Sequence, residues 1–324
     1  MNYKHSFHQL NYFIVFVILS IVILDGCASN GNQVKSSINN MRSSGQIENQ
    51  KTQKKISINN QEQTTFKSLP EMTSDEYEAS GDIYFKNGDY YMAFVQYEKS
   101  LKLRPNNVRI HYKKGLIYNY TKQYEEALKS LQTVIDSESE FAPAYKEMGF
   151  SFFALKKYNE AEELLLKAIR LDSKQWEALN ALGNIYDIQK KYDQAFKEYT
   201  KAIFLKPNES ILYNNLGVSL YRAGRYEESI KAYKLALDAK GPKKLIYNNL
   251  GLVLGKTGRY DDALKSFIKG SNTAQGYNNL GCVYLAQGEY GKAAASFRKA
   301  IENSPEFYKK ANENLEKAEV GFIQ

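Results

Sequence analysis

Histidine and cysteine are almost missing from this chain, with three and two copies among 324 residues. His5 and His8 stand in the first ten residues, so the body of the chain has only His111. That excludes a histidine-dependent catalytic triad and a paired-histidine metal site, and no glycine-rich phosphate loop or cysteine cluster is present either. Cys27 and Cys282 alone cannot make a disulfide framework. A surplus of one charge is also lacking: 44 basic and 36 acidic residues are mixed along the chain, for a net charge of +8. This describes a solvated surface rather than a nucleic-acid stripe, and the excess suits at most a weak preference for anionic lipid or cell-wall polymer. Long hydrophobic runs are limited to residues 13–24, twelve residues where a membrane-spanning helix needs about 20. What the chain has in quantity is tyrosine, 26 copies against six prolines and one tryptophan.

The run at 13–24 follows a segment with Lys4 and no acid, and has the length of a signal-peptide core. It leads into Leu24-Asp25-Gly26-Cys27, which resembles the bacterial lipobox: an aliphatic residue three before the cysteine, a small residue just before it, and a thiol open to diacylglycerol transfer. Asp25 departs from the small or apolar residue usual at its place. The resemblance implies a signal peptide over 1–26 and a covalent lipid on Cys27, with no other cofactor. It also implies a place in the cell envelope, and Ala28 after the cysteine suits the periplasmic face of the outer membrane. Residues 27–73 are rich in Asn, Gln, Ser, Lys and Thr, too polar to offset their ordering entropy, and are expected to be a disordered tether. A random coil of that length reaches about 35–40 Å.

From Ser74 a period appears. Gly81, Gly115, Gly149, Gly183, Gly217 and Gly251 stand 34 apart, and Gly281 follows after 30. Tyr90, Tyr124, Tyr158, Tyr192, Tyr226, Tyr260 and Tyr290 run nine residues behind them, and Ala93, Ala127, Ala161, Ala195, Ser229, Ala263 and Ala293 three further on. Numbering each repeat from 1, the fifth places Tyr213, Leu216, Gly217 and Leu220 at 4, 7, 8 and 11, one face of a helix. Ser229, Tyr233 and Ala236 at 20, 24 and 27 form the face of a second helix. This resembles the tetratricopeptide repeat, whose unit is a 34-residue pair of antiparallel helices.

The resemblance implies an all-α solenoid of seven repeats over 74–107, 108–141, 142–175, 176–209, 210–243, 244–273 and 274–307. A capping helix and tail over 308–324 carry Phe307, Ala311, Leu315 and Ala318 as one apolar face. Small residues at places 8 and 20 let the helices approach closely. Gly88, Gly224, Gly258 and Gly288 make turns, and Pro105, Pro207 and Pro305 stop second helices. Ser80 and Lys114 replace the apolar residue at place 7, so the first two repeats should be the least stable. The sixth repeat is four residues short, which predicts altered stacking onto the seventh. Acid pairs such as Glu125-Glu126, Glu162-Glu163, Glu227-Glu228 and Asp261-Asp262 are expected early in second helices, favouring the positive end of the helix dipole rather than catalysis.

By the same resemblance the first helices line a concave groove into which places 2, 5, 9, 12 and 13 point. Those places carry Lys146, Phe150, Phe153, Asn180, Asn184, Asn214, Tyr221, Arg222, Asn248 and Asn278, with Asn215, Asn249 and Asn279 beside them at place 6. A carboxamide donates and accepts at once, so an asparagine ladder suits a protein or an extended peptide read through its backbone. Ile211 and Leu245 stand where a chaperone-tail clamp would want lysine. Cys282, beside the groove, reads as a small buried thiol. The expected function is a non-catalytic interaction scaffold, similar to lipoproteins that help pilus or secretin machines assemble. The alternative is an adaptor bringing cell-wall hydrolases or a protease to substrates. An enzyme is disfavoured because no segment outside the array is large enough to fold.

Overall fold

The computed structural model describes residues 72–304, 306 and 308–323. The leader, Cys27, nearly all of the tether, Pro305 and Phe307 lie outside these residues. Among the described residues are fifteen α-helices and no strand, with one isolated parallel bridge between Glu209 and Lys240. They form seven pairs: α1 Ser74–Lys86 with α2 Tyr90–Leu103, α3 Val108–Tyr120 with α4 Tyr124–Ser137, and α5 Ala142–Ala154 with α6 Tyr158–Leu171. Then come α7 Trp176–Ile188 with α8 Tyr192–Leu205, α9 Ser210–Arg222 with α10 Tyr226–Asp238, α11 Lys244–Lys256 with α12 Tyr260–Gly270, and α13 Thr273–Ala286 with α14 Tyr290–Glu302. The last helix, α15, spans Lys309–Ile323. Each helix packs chiefly on its neighbours in the chain, and first helices also touch the next first helix. This is an α-solenoid, as the 34-residue period requires.

The glycine at place 8 is the contact on which each pair closes. A Cβ on Gly81, Gly183 or Gly217 would lie 2.4, 2.6 or 2.7 Å from the ring of Tyr97, Tyr199 or Tyr233, each at place 24 of the same repeat. Leu131 and Leu165 fill the same space over Gly115 and Gly149, and Phe267 and Phe297 over Gly251 and Gly281. The three tyrosine rings are fully buried, so the missing side chain of helix A is replaced by a ring from helix B.

The ends are closed by local chemistry. Thr73 caps α1 in a capping box with Glu76, whose carboxylate accepts the Thr73 backbone N–H at 2.7 Å. In α15, Ala311 and Ala318 are buried, Arg298 reaches Glu319 at 2.7 Å, and Gly321 admits the ring of Tyr290. Lys114, the lysine at place 7 of the second repeat, pairs with Glu98 and stands 5.2 Å over the Phe94 ring, so its charge leaves the core along an apolar stem. The first-turn acids occur as expected at Glu125, Glu126, Glu227, Glu228, Asp261 and Asp262. In α6 it is Glu160 that holds the first turn; Glu162 and Glu163 lie further along, and Glu162 accepts Gln189 at 3.1 Å.

The shortened sixth repeat loses residues from α12, at 11 residues the shortest helix among those described, and from the linker that follows it. Two glycines close the gap. A Cβ on Gly270 would come within 2.9 Å of the Lys244 carbonyl oxygen, and one on Gly276 within 2.6 Å of Ile268 Cγ1. The junction to the seventh repeat is thus a close contact in which backbone and side chain meet across two glycines.

Candidate functional site: the side-by-side first helices

The first helices α1, α3, α5, α7, α9, α11 and α13 bring the predicted groove residues into one row, and the row divides by chemistry. Its N-terminal part is charged. Lys113 Nζ lies 2.7 Å from Glu78 and 2.8 Å from Asp82, Arg109 reaches Glu78 at 3.1 Å, and the Tyr97 hydroxyl donates to Asp82 at 2.7 Å. One repeat on, Lys146 stands 3.7 Å from Glu147, 4.0 Å from Glu177 and 5.9 Å over the Phe150 ring. Glu147 accepts from Asn119 Nδ2 at 3.3 Å, and burial holds its carboxyl above the usual carboxylate range against the pull of Lys146. Phe150 and Phe153 pack into the cluster around Ala161, Leu165 and Ile185.

The C-terminal part is built of amides, and they bind one another. Asn215 donates to Asn180 at 3.0 Å and Asn249 donates to Asn214 at 3.0 Å, in each case from place 6 of one repeat to place 5 of the one before, 35 residues apart. Asn214 also points Nδ2 at Asn215 Oδ1, 3.4 Å away. Asn314 of the cap donates to Asn278 at 3.2 Å and to Cys282, itself buried, at 3.7 Å. The pairing stops at the short repeat. Asn279 takes Gln275 of its own helix at 3.1 Å, and Asn248 Oδ1 is buried with no hydrogen-bond partner.

A second polar seam, which sequence reading missed, joins place 12 to place 10 of the next repeat. Ser151 donates to Asn119 at 2.6 Å and Ser219 donates to Asp187 at 2.6 Å, both over 32 residues. The Tyr199 hydroxyl lies 2.6 Å from Asn184 Oδ1 and 2.9 Å from Asp187 Oδ2. Burial raises the Asp187 carboxyl above its ordinary value despite these donors. The readable signal was an Asn or Asp at place 12 with Ser at place 10 of the next repeat, occurring twice. Tyr221 and Arg222 are half-buried; Tyr221 packs on Tyr226 at 5.6 Å, and Arg222 makes no ion pair among the described residues.

The amides therefore tie repeats together before they meet anything else, and the residues with side-chain surface to offer are Tyr221, Arg222, Asn248 and Asn279. No cluster of three or more His, Cys, Asp or Glu able to hold a metal occurs among the described residues, and no helix among them is long and apolar enough to cross a membrane. His111 sits 3.0 Å from the Pro105 carbonyl oxygen, a local contact. Cys27, on which a lipid is expected, and the expected signal peptide lie outside the described residues.

Comparison with known proteins agrees with this architecture. The family described as TPR repeat matches residues 81–121 and 183–224, and that described as tetratricopeptide repeat matches 108–141, 142–175, 164–197, 214–274 and 274–307. Together the matches run without a gap from 81 to 307, more than two thirds of the chain. No curated protein matches the sequence. Among solved structures, a tetratricopeptide repeat protein from Parabacteroides merdae is 18% identical with a TM-score of 0.54, over 76% of this chain and 98% of that one. A chain of the APC/C hetero-tetramer Cut9–Hcn1 is 20% identical with a TM-score of 0.55, over 75% and 49%. Pseudomonas aeruginosa pilF is 19% identical with a TM-score of 0.54, over 76% and 96%. At these identities the likeness is one of fold. Seven helix pairs on a 34-residue period, each closed by a place-8 glycine under a place-24 side chain and matched by repeat profiles throughout, make this chain a member of the tetratricopeptide-repeat family, whose arrays are protein–protein interaction scaffolds.

Proposed function

We propose that this chain is a non-catalytic scaffold, held at the cell envelope by a lipid on Cys27, that takes an extended protein segment along its row of first helices. The observation that carries the reading is the row itself. It presents charged residues at one end and amides with aromatics at the other, and no arrangement for bond chemistry among the described residues. Within it, Tyr221, Arg222, Asn248 and Asn279 offer a stacking ring, a guanidinium and amides to a peptide backbone. Asn180, Asn214, Asn215, Asn249 and Asn278 hold that surface in register, and Asn184 is held by Tyr199 of its own repeat. The lipobox-like Leu24-Asp25-Gly26-Cys27 and the fold shared with pilF support a role in assembling a surface machine such as a pilus or secretin at the periplasmic face of the outer membrane. An adaptor delivering a hydrolase or protease remains the second reading, favoured by the same groove.

Photo-crosslinking tests the groove. A benzophenone amino acid at position 221 or 222 should give adducts with a partner in envelope extracts, and one at the exposed Phe204 of α8 should not. Adducts at 204 alone would remove the row of first helices from the account. Cys27→Ser tests the anchor separately, since it should abolish acylation and leave the groove adducts in a solubilised extract unchanged.

A further inference from the structure

The turn between the two helices of each repeat has the same backbone in all seven, but not the same residue. Place 15 takes a positive φ throughout: 75–80° at Gly88, Gly224, Gly258 and Gly288, and 59–62° at Lys122, Lys156 and Lys190. The turn bond is also the same. Gly88 N and Gly224 N donate three residues back at 3.1 and 3.0 Å, and Lys122, Lys156 and Lys190 do so at 3.1, 2.9 and 3.1 Å. Glycine adopts this region freely and lysine does not. Repeats two, three and four thus each place a strained cation where glycine would be relaxed, and such strain at successive equivalent positions points to a role outside folding.

The neighbouring place strengthens the pattern. At place 16 of repeats five and six, Arg225 is paired with Glu228 at 2.6 Å and Arg259 with Glu227 of the preceding repeat at 2.7 Å. Lys157 and Lys191 occupy that place in repeats three and four without an ion pair, standing 5.8 Å over the rings of Phe152 and Tyr186. The preceding-repeat partner that Lys191 would use is the uncharged Asn159. Lys122, Lys156, Lys157, Lys190 and Lys191 are all exposed, and the turns that carry them contain no acid. Of the carboxylates around these turns, Glu125, Glu126, Glu160 and Asp193 belong to the first turn of the second helices, where the helix dipole offsets them, Glu126 is further held by Lys129 at 3.0 Å, and Glu162 accepts from Gln189 beside the fourth turn at 3.1 Å.

We propose that this edge of repeats two to four is an electrostatic docking surface for anionic phospholipid headgroups at a bilayer. A Cβ built at the equivalent glycine turns meets nothing within 4 Å, so these tips project into open space and offer no pocket for a shaped ligand. Lysine supplies mobile point charges suited to a diffuse negative surface, whereas a shaped anion favours the fork of arginine. The half-buried Tyr124, Tyr158 and Tyr192 directly behind the turns are amphipathic rings of the kind that sit at headgroup level. The surface does not depend on the lipid at Cys27.

Co-sedimentation of the full chain with vesicles tests it. Wild type should partition more strongly onto phosphatidylcholine vesicles containing phosphatidylglycerol than onto phosphatidylcholine alone, and the difference should collapse in raised salt. The triple variant Lys122→Gly/Lys156→Gly/Lys190→Gly should lose that preference by on the order of 100-fold, from about fivefold per lysine. Because glycine relaxes the turns, its thermal melt should not fall, so the loss cannot be ascribed to unfolding. The pair Lys157→Gln/Lys191→Gln should lose part of the preference without touching the turns. Binding to neutral vesicles reports on the lipid anchor and should be equal in all variants. Equal partition of wild type onto both compositions, an unchanged preference in the triple variant, or capture of soluble polyglutamate without capture of the anionic vesicles would overturn the proposal.

Discussion

Gly217→Ala is a substitution that helix propensity and packing judge in opposite directions, and the structure says which should win. In an isolated helix, alanine in place of an interior glycine stabilises by about 1 kcal/mol. Here the new methyl would meet the Tyr233 ring at 2.7, 2.8 and 2.9 Å, and that ring is 1% exposed. Overpacking of a closed core costs about 1–3 kcal/mol. Taking about 2 kcal/mol for the clash, the net loss is about 1 kcal/mol, a fall in melting temperature of about 2–4 °C for a chain of this size. The decisive measurement is a cycle followed by circular dichroism. In a Tyr233→Ala background the clash is gone, and Gly217→Ala should become stabilising by about 1 kcal/mol, a coupling of about 2 kcal/mol. Gly224→Ala is the control: nothing lies within 4 Å of its Cβ, but its φ is +78°, so it should destabilise by about 1 kcal/mol in both backgrounds. A Gly217→Ala variant that melts higher in both backgrounds would refute the close-approach argument.

The asparagine seam gives a graded set. Asn215→Ala and Asn249→Ala each strip a donor from a buried partner amide and should cost about 1–3 kcal/mol in urea unfolding. Asn248→Ala removes a buried oxygen that has no partner and should be near neutral; equal losses at all three would dissolve the distinction. Glu147 gives a pH dependence. Burial raises its folded-state pKa, so the folded chain binds its proton more tightly than the unfolded chain does. Stability from this group is greatest below the ordinary carboxylate value and falls as pH rises through the raised one. Glu147→Gln should flatten melting temperature against pH in that window, and an unchanged slope would place the pH dependence elsewhere.

The fold was legible because its signals are periodic and short-range. Glycine at place 8, tyrosine at 17 and a small residue at 20 recur seven times, and each acts within one helix pair. The seams were not legible in the same way. Within its own repeat, each of the amides of Asn180, Asn214, Asn215 and Asn249 would face outward to a ligand. Their partners lie 35 residues away, and that offset becomes a contact only once the stagger between adjacent first helices is known. A lysine at an apolar place looks like a defect in the letters alone, whereas the long stem of Lys114 carries its ammonium to Glu98. The lysine turns were invisible for another reason: sequence marks glycine as the residue for positive φ, and nothing in the letters shows that Lys122, Lys156 and Lys190 adopt it too.

The sixth repeat shows how far the seam depends on register. Asn248 and Asn279 are the residue types that pair elsewhere, at the same places 5 and 6, but four deleted residues bring them 31 apart instead of 35. The shortened α12 draws the chain back early, Gly270 then packs on Asn248 and the Lys244 carbonyl, and Asn279 turns to Gln275 of its own helix. A side-chain hydrogen bond between repeats is exchanged for a close contact that only glycine permits, and the two amides are left beside the row of first helices with capacity unspent. The pairing resumes at once in the cap, where Asn314 meets Asn278. The interruption is therefore local, and it falls where the array has amides to give to something other than itself.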